Sequence, residues 1–211
     1  YWLGDSDFVN VPRGLIAKDY TKELAARIDP AQTKDVQMHG TPAHWRQDVF
    51  GRHTTHIAAA DAAGNWVAIT ATINTAFGSK VVVPGTGVVL NDEMDDFSIM
   101  PGVPNAFGLI GAENNAVAPG KRPLSSMSPT IVLDAEGQPL LTVGAAGGPK
   151  IITQVILAIV RYLDFQQPLA EAATGARFHH QWRPNSVMVE KRLPPEIVAG
   201  FRQRGHAIEE V

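Results

Sequence analysis

The sequence predicts an α+β layered fold, on three observations. Two stretches alternate apolar and polar residues about Gly-containing turns, the pattern of β-hairpins. The strong helical patterns follow those hairpins instead of interleaving with them. The composition, 211 residues with 45% hydrophobic and 18% charged, supports one sizeable core.

Residues 1–50 are rich in Pro, Asp, Gln and His, with one helical pattern over Tyr20–Ile28 that Asp29-Pro30 ends. The stretch "TKDVQMHGTPAHWRQDVFGR" (33–52) has no sustained period and reads as extended loop. At Thr54 the texture changes. "TTHIAAADAAGNWVAITATIN" reads as two strands about the turn Ala62-Ala63-Gly64, with the Gly suited to a left-handed last position. "GVVLNDEMDDF" is expected as a short strand running into an acidic turn. "MPGVPNAFGLIGAENNAVAPGKRP" reads as a long loop of the kind that carries function or lacks order. "SPTIVLDAEGQPLLTVGA" repeats the hairpin pattern about "DAEGQ". "GGPKIITQVILAIVRYLDF" reads as a buried helix with Pro149 in its first turn. Helices near Leu169–Gly175 and Pro195–Arg204 complete the set.

Charge and composition exclude several classes. A net charge of −3 without an extended Lys/Arg cluster argues against a nucleic-acid binder. No apolar run reaches the length of a membrane span. Without cysteine there is no disulfide framework and no thiolate metal site. The chain opens at Tyr1 on "YWLGDSDFVNV", which reads as the middle of something longer.

Five features can carry chemistry. A turn centred on Ala63 places Thr54 opposite Thr72 and His56 opposite Thr70, a hydroxyl cluster at the open end of the hairpin. The plainer reading is cross-strand Thr pairing, which adds modest sheet stability. Gly147 and Gly148 precede a helix, so their N–H groups suit a developing oxyanion; a strand-to-helix turn would need glycine there too. The acids Asp92, Glu93, Asp95 and Asp96 suit a substrate ammonium or simply a solvated turn; a metal is the weaker option without Ca²⁺-loop spacing or a nearby His. Ser125 and Ser126 pair hydroxyls with backbone N–H groups before a strand and suit a carboxylate, although Ser is commonplace at strand entries. His179 and His180 have no carboxylate or Cys at ligand spacing and read as structural or interfacial.

Taken in order, "TTH" (54–56), "TATIN" (70–74), "LNDEMDDFS" (90–98), "PGVPNAFGL" (101–109), "KRPLSSMSPTIV" (121–132), "GGPKIIT" (147–153) and "RFHHQW" (177–182) resemble the γ-glutamyltransferase family of N-terminal-nucleophile hydrolases. The resemblance implies an αββα sandwich, here incomplete, and a precursor that cuts itself at His53–Thr54. It divides the chain into 1–53, the tail of a large subunit, and 54–211, a small-subunit region lacking its C-terminal end. Thr54 is then the nucleophile, Thr72 its hydrogen-bonding support, and Gly147 and Gly148 the oxyanion hole. Asn74, Glu93 and Asp96 take the substrate α-amino end, Asp96 paired to the ammonium, and Ser125 and Ser126 take the α-carboxylate. Residues 101–112, including Pro101, Asn105 and Phe107, correspond to the lid; many members have Tyr where this chain has Phe107, which implies a differently closed pocket.

The resemblance further implies no cofactor and no metal. Its donor is a γ-glutamyl compound such as glutathione, its acceptor water or an amino acid, and its location periplasmic or secreted. The large-subunit remainder is the implied partner. Two other readings stay open. One is a related acylase acting on glutaryl-cephalosporins or poly-γ-glutamate. The other is an unprocessed, inactive chain whose uncovered apolar face drives homo-oligomerisation.

Overall fold

A computed structural model of the chain describes residues 3–9, 17–26, 28–33 and 54–211. The 34–52 loop reading and His53 lie outside them. The chain divides into two units: Tyr1–Arg46, Met94–Ser125 and His180–Val211 form the first, and Gln47–Glu93 with Ser126–His179 the second.

The second unit holds both hairpins. β1 (Thr54–Ala60) pairs antiparallel with β2 (Trp66–Thr72), and Thr54 faces Thr72 while His56 faces Thr70, as the turn position predicts. β3 (Thr130–Leu133) pairs with β4 (Pro139–Val143), with an irregularity after Val132. The two turns use one device. The Asp61 carboxylate accepts the Ala63 and Asn65 N–H groups at 2.9 Å each, and Asp134 accepts those of Glu136 and Gln138 at 3.0 and 2.8 Å. Gly64 and Gly137 take the left-handed position in each turn (φ +84° and +80°).

Helix α2 (Lys150–Leu163) follows β4 and packs on it and on α3 (Leu169–Thr174). The expectation of a buried α2 holds for one face of the helix. Ile151 and Val155 are buried, but Ile152 and Ile156 are exposed, because the packed neighbours cover one face only. On β1 and β2 the alternation is also one-sided. Thr54, His56, Thr70 and Thr72 lie half-buried, whereas Ile57, Val67 and Ile69 point outward and are exposed. Ile131, Leu133 and Leu140 of the second hairpin are exposed as well.

The first unit contains α1 (Lys18–Ala26), shifted two residues toward the N-terminus from the expected span. Its core is built on the fully buried β6 (Val187–Val189), which runs parallel to β7 (Ile208–Glu210). Helix α4 (Pro195–Gln203) connects them and buries Val198. β5 (Phe178–His180) carries the chain from one unit into the other. These three-residue strands are too short for a periodic signal. The strand expected over Gly87–Leu90 reduces to an isolated bridge between Val82 and Val89, since Gly85 and Gly87 turn the chain with positive φ.

Candidate active site

The site is built from the open end of the β1–β2 hairpin. Thr54 Oγ1 donates to Thr72 Oγ1 at 3.2 Å, and Thr72 Oγ1 accepts the Asn74 N–H at 2.9 Å. A hydroxyl that donates its proton keeps its lone pairs available, which is what a nucleophile needs. His56 is spent elsewhere. Its Nδ1 is 2.9 Å from Thr70 Oγ1, and its ring lies so close to Gly144 that a Cβ there would collide with it. Among the described residues no imidazole or carboxylate contacts the Thr54 hydroxyl.

Asn74 has φ +73° and is 6% exposed, a conformation that Asn tolerates better than most residues. Its Nδ2 donates to the Asp92 carbonyl at 3.1 Å. The Asp92 carboxylate accepts the Thr75 N–H and hydroxyl, at 3.0 and 2.5 Å. Asp92, one of the four acids in the run, is therefore committed to this turn. Glu93 begins a short 3-10 turn, half-buried, with its N–H on Asn91 Oδ1 at 3.1 Å.

A cavity of about 650 Å³ opens in the same unit, with Thr54, Gly144, Ala146, Gln154, Arg161 and Arg177 on its wall. Among the described residues its lining includes the guanidinium groups of Arg161 and Arg177. Beyond Ala146 come Gly147 and Gly148, at φ +125° and +59°. Their carbonyls accept the Lys150 and Ile151 N–H groups at 3.3 and 3.0 Å, opening α2. Their own N–H groups are engaged by no other group among the described residues. Behind this start, the Thr153 hydroxyl lies 3.0 Å from the Lys150 carbonyl and 2.8 Å from His179 Nδ1. His179 is 3% exposed, and His180 Nε2 lies 3.0 Å from Asn185 Oδ1.

In the other unit Asp96 sits half-buried at the end of the 3-10 turn. Its neighbour Asp95 accepts the Ala106 N–H at 2.9 Å and so holds the loop beyond. That loop is a small closed turn with a bridge between Pro104 and Ile110. Asn105 Oδ1 accepts the Phe107 and Leu109 N–H groups at 3.0 Å each, while Pro101 is exposed. Asn115, 5% exposed, joins two segments of this unit. Its Nδ2 donates to the Asp96 carbonyl at 2.8 Å, its Oδ1 accepts the Leu124 N–H at 3.1 Å, and its carbonyl accepts the Ser98 N–H at 2.9 Å. Ser125 follows Leu124 directly and is exposed; Ser126 opens the return into the second unit, half-buried.

Arg122 grips Asp5 through Nε at 3.0 Å and Nη2 at 2.7 Å, and its backbone N–H adds a third bond at 2.8 Å. The Arg122 side chain first, then its backbone N–H, hold the Asp5 carboxyl well below the usual carboxylate range.

Thr54, Thr72 and Asn74 are thus brought into one hydrogen-bonded run, with Gly147 and Gly148 just past the cavity wall that Thr54 shares. Glu93 and Ser126 belong to that unit, and Asp96, Ser125, Pro101, Asn105 and Phe107 to the other. Sequence reasoning missed Asn115, Gln154 and the cavity-facing role of Arg177. Arg177 stands inside the "RFHHQW" motif, and Gln154 is a polar residue early in an apolar helix, which is a usable signal. Asn115 left none.

Comparison with known proteins follows the same lines. The family model described as gamma-glutamyltranspeptidase matches residues 1–211. The chain is 43% identical over 210 residues to a glutathione hydrolase proenzyme of Escherichia coli, covering 98% of this chain and 35% of that protein. It resembles a solved acivicin-inhibited gamma-glutamyltranspeptidase at 44% identity and TM-score 0.72, over 74% of this chain and 84% of that one. A cephalosporin acylase from Bacillus halodurans superposes with TM-score 0.78 at 26% identity, over 100% of this chain and 35% of that one. The chain thus spans about a third of the length of the E. coli protein. A model match along its whole length means that the chain belongs to the gamma-glutamyltranspeptidase family.

Proposed function

We propose that the protein is a γ-glutamyltransferase and glutathione hydrolase that works through a Thr54 γ-glutamyl ester. The observation that carries this reading is the Thr54–Thr72 hydrogen bond at the first residue of β1, with no separate base on the Thr54 hydroxyl among the described residues. Such a nucleophile needs a base, and a terminal α-amine of pKa near 8 supplies one once the preceding peptide bond is cut. In the maturation step Thr54 Oγ attacks the His53 carbonyl, the acyl group shifts from N to O, and water hydrolyses the ester. The freed amine then takes the Thr54 hydroxyl proton as Oγ attacks the γ-carbonyl of the donor. That proton passes to the departing amine, and water or an amino acid releases the glutamyl group.

The Gly147 and Gly148 N–H groups, open among the described residues, hold the tetrahedral oxyanion. Thr72 supports the nucleophile. Asn74, Glu93 and Asp96 receive the α-amino end, and Ser125 and Ser126 the α-carboxylate. Residues 101–112, with Pro101, Asn105 and Phe107, act as the lid. We assign residues 1–53 to a large-subunit tail and 54–211 to the small-subunit region. Its apolar face, with Ile57, Val67 and Ile69 exposed, suits the inner layer of an αββα sandwich whose other layer the large subunit supplies. The same face makes self-association the fate of a chain left without that layer. Among the described residues no helix is long and apolar enough to cross a membrane; we assign the protein to the periplasm or the exterior.

The likeness to a cephalosporin acylase supports a second reading, in which the acyl group is glutaryl. Such a donor lacks the α-ammonium and leaves Asp96 without its assigned counter-charge. A chromogenic γ-glutamyl anilide separates the two. The full protein is expected to release the anilide faster from the γ-glutamyl than from the glutaryl substrate, and Thr54→Ala to release none. Release undiminished by Thr54→Ala would sink the proposal.

A further inference from the structure

We infer that Gln154 is a positioning residue for the oxyanion hole, relaying the Arg177 charge to the Ala146–Gly147 peptide. The inference rests on the reading of Gly147 as an oxyanion donor. Arg177 Nη1 donates to Gln154 Oε1 at 2.6 Å, and Gln154 Nε2 donates to the Ala146 carbonyl at 2.8 Å. Chemistry settles the amide orientation. A guanidinium only donates and a carbonyl only accepts, so Oε1 faces Arg177 and Nε2 faces Ala146.

The consequence follows from peptide geometry. In a trans peptide the C=O and the next N–H point in opposite directions within one plane. Holding the Ala146 carbonyl toward Gln154 therefore holds the Gly147 N–H on the opposite edge. Gly147 fits this arrangement on two counts: its φ of +125° favours glycine, and a Cβ would lie 3.3 Å from Gln154 Nε2. Aim is only half the effect. A hydrogen bond from a charged donor polarises the Gln154 amide, which polarises the Ala146–Gly147 peptide in turn, making the Gly147 N–H a stronger donor. A helix side chain thus carries positive character from Arg177 through the Ala146–Gly147 peptide to the alkoxide.

The test uses Gln154→Met, which keeps the volume and removes the donor, and Gln154→Glu, which keeps the Arg177 partner and removes the donor. Each is measured in the full protein for kcat and KM on a γ-glutamyl anilide. Each is also measured for inhibition by the γ-boronic acid analogue of glutamate, whose tetrahedral adduct on Thr54 places an oxygen where the oxyanion forms. The expected result is a loss of roughly 10- to 100-fold in kcat, the range for residues that orient a reacting group, with KM within about twofold. Boronate affinity falls by a similar factor while the melting transition stays near that of the parent. Unchanged kcat and boronate affinity in either folded variant would overturn the inference. So would loss of the native transition in both, since the role would then be structural. Thr54→Ala runs alongside. If it still turns over, the reading of the site fails; if it is inactive while Gln154→Met is unaffected, only this inference fails.

Discussion

The hairpin end that carries Thr54 and the loop region that carries Asp96 are held by opposite means. The first is a ladder: seven consecutive cross-strand pairs put Thr54 opposite Thr72. The second has no ladder. Asp96 is held by its backbone, through Asn115 from nineteen residues away, and the loop beyond it by Asp95 and Asn105 reaching to main-chain N–H groups. A ladder spreads the loss of one contact over many others. A region held by a few part-buried side-chain bonds weakens at each of them, because an unmade bond there leaves a partly desolvated polar group behind.

This contrast sets what substitutions do. The largest effect is expected at Thr72→Val on the ladder, larger in function than in folding, although the Asn74 N–H also loses its acceptor. The neighbouring pairs keep the hairpin, while Thr54 loses its hydroxyl partner. Anilide turnover should fall about 100-fold, the order seen when one positioned polar contact at a reacting centre is lost. Unchanged turnover would mean that the 3.2 Å contact is incidental.

Asn115→Ala should behave in the reverse manner. It leaves the half-buried Asp96 carbonyl and the Leu124 N–H without their side-chain partner, at about 1–2 kcal/mol in all for two part-buried bonds. Urea unfolding reads that loss. KM for the γ-glutamyl donor should rise while kcat changes little. A loss in kcat alone would break the comparison.

The smallest effect is the pH dependence of the Asp5–Arg122 pair. Asp5 has a folded pKa below its unfolded value of 3.8, so its stabilisation is fully present above that value. It is lost as pH falls through the folded pKa. Asp5→Asn should therefore lower the melting midpoint at pH 7, and the gap from the parent should narrow below pH 3.8. A gap that stays constant into acid would show that charge plays no part.

The same contrast explains what was legible in the sequence. Alternation and the two Asp-initiated turns carried the hairpins, and with them the Thr54–Thr72 register, because period and turn chemistry are local. The seven ordered motifs carried the family and its candidate residues. Four adjacent acids looked alike, yet Asp92 and Asp95 are engaged by Thr75 and Ala106, partners 17 and 11 residues away. Bonds of that span leave no period to read. Asn115 and the Gln154–Arg177 relay were missed for the same reason, and the three-residue strands β5–β7 because their identity comes from burial and pairing.

The central claim, that Thr54 is an N-terminal nucleophile, is tested most directly by N-terminal sequencing and intact mass of the purified full protein. The account predicts a second polypeptide beginning Thr54-Thr55-His56, absent from the Thr54→Ala variant. A protein that turns over γ-glutamyl anilide without any chain beginning at Thr54 would contradict it.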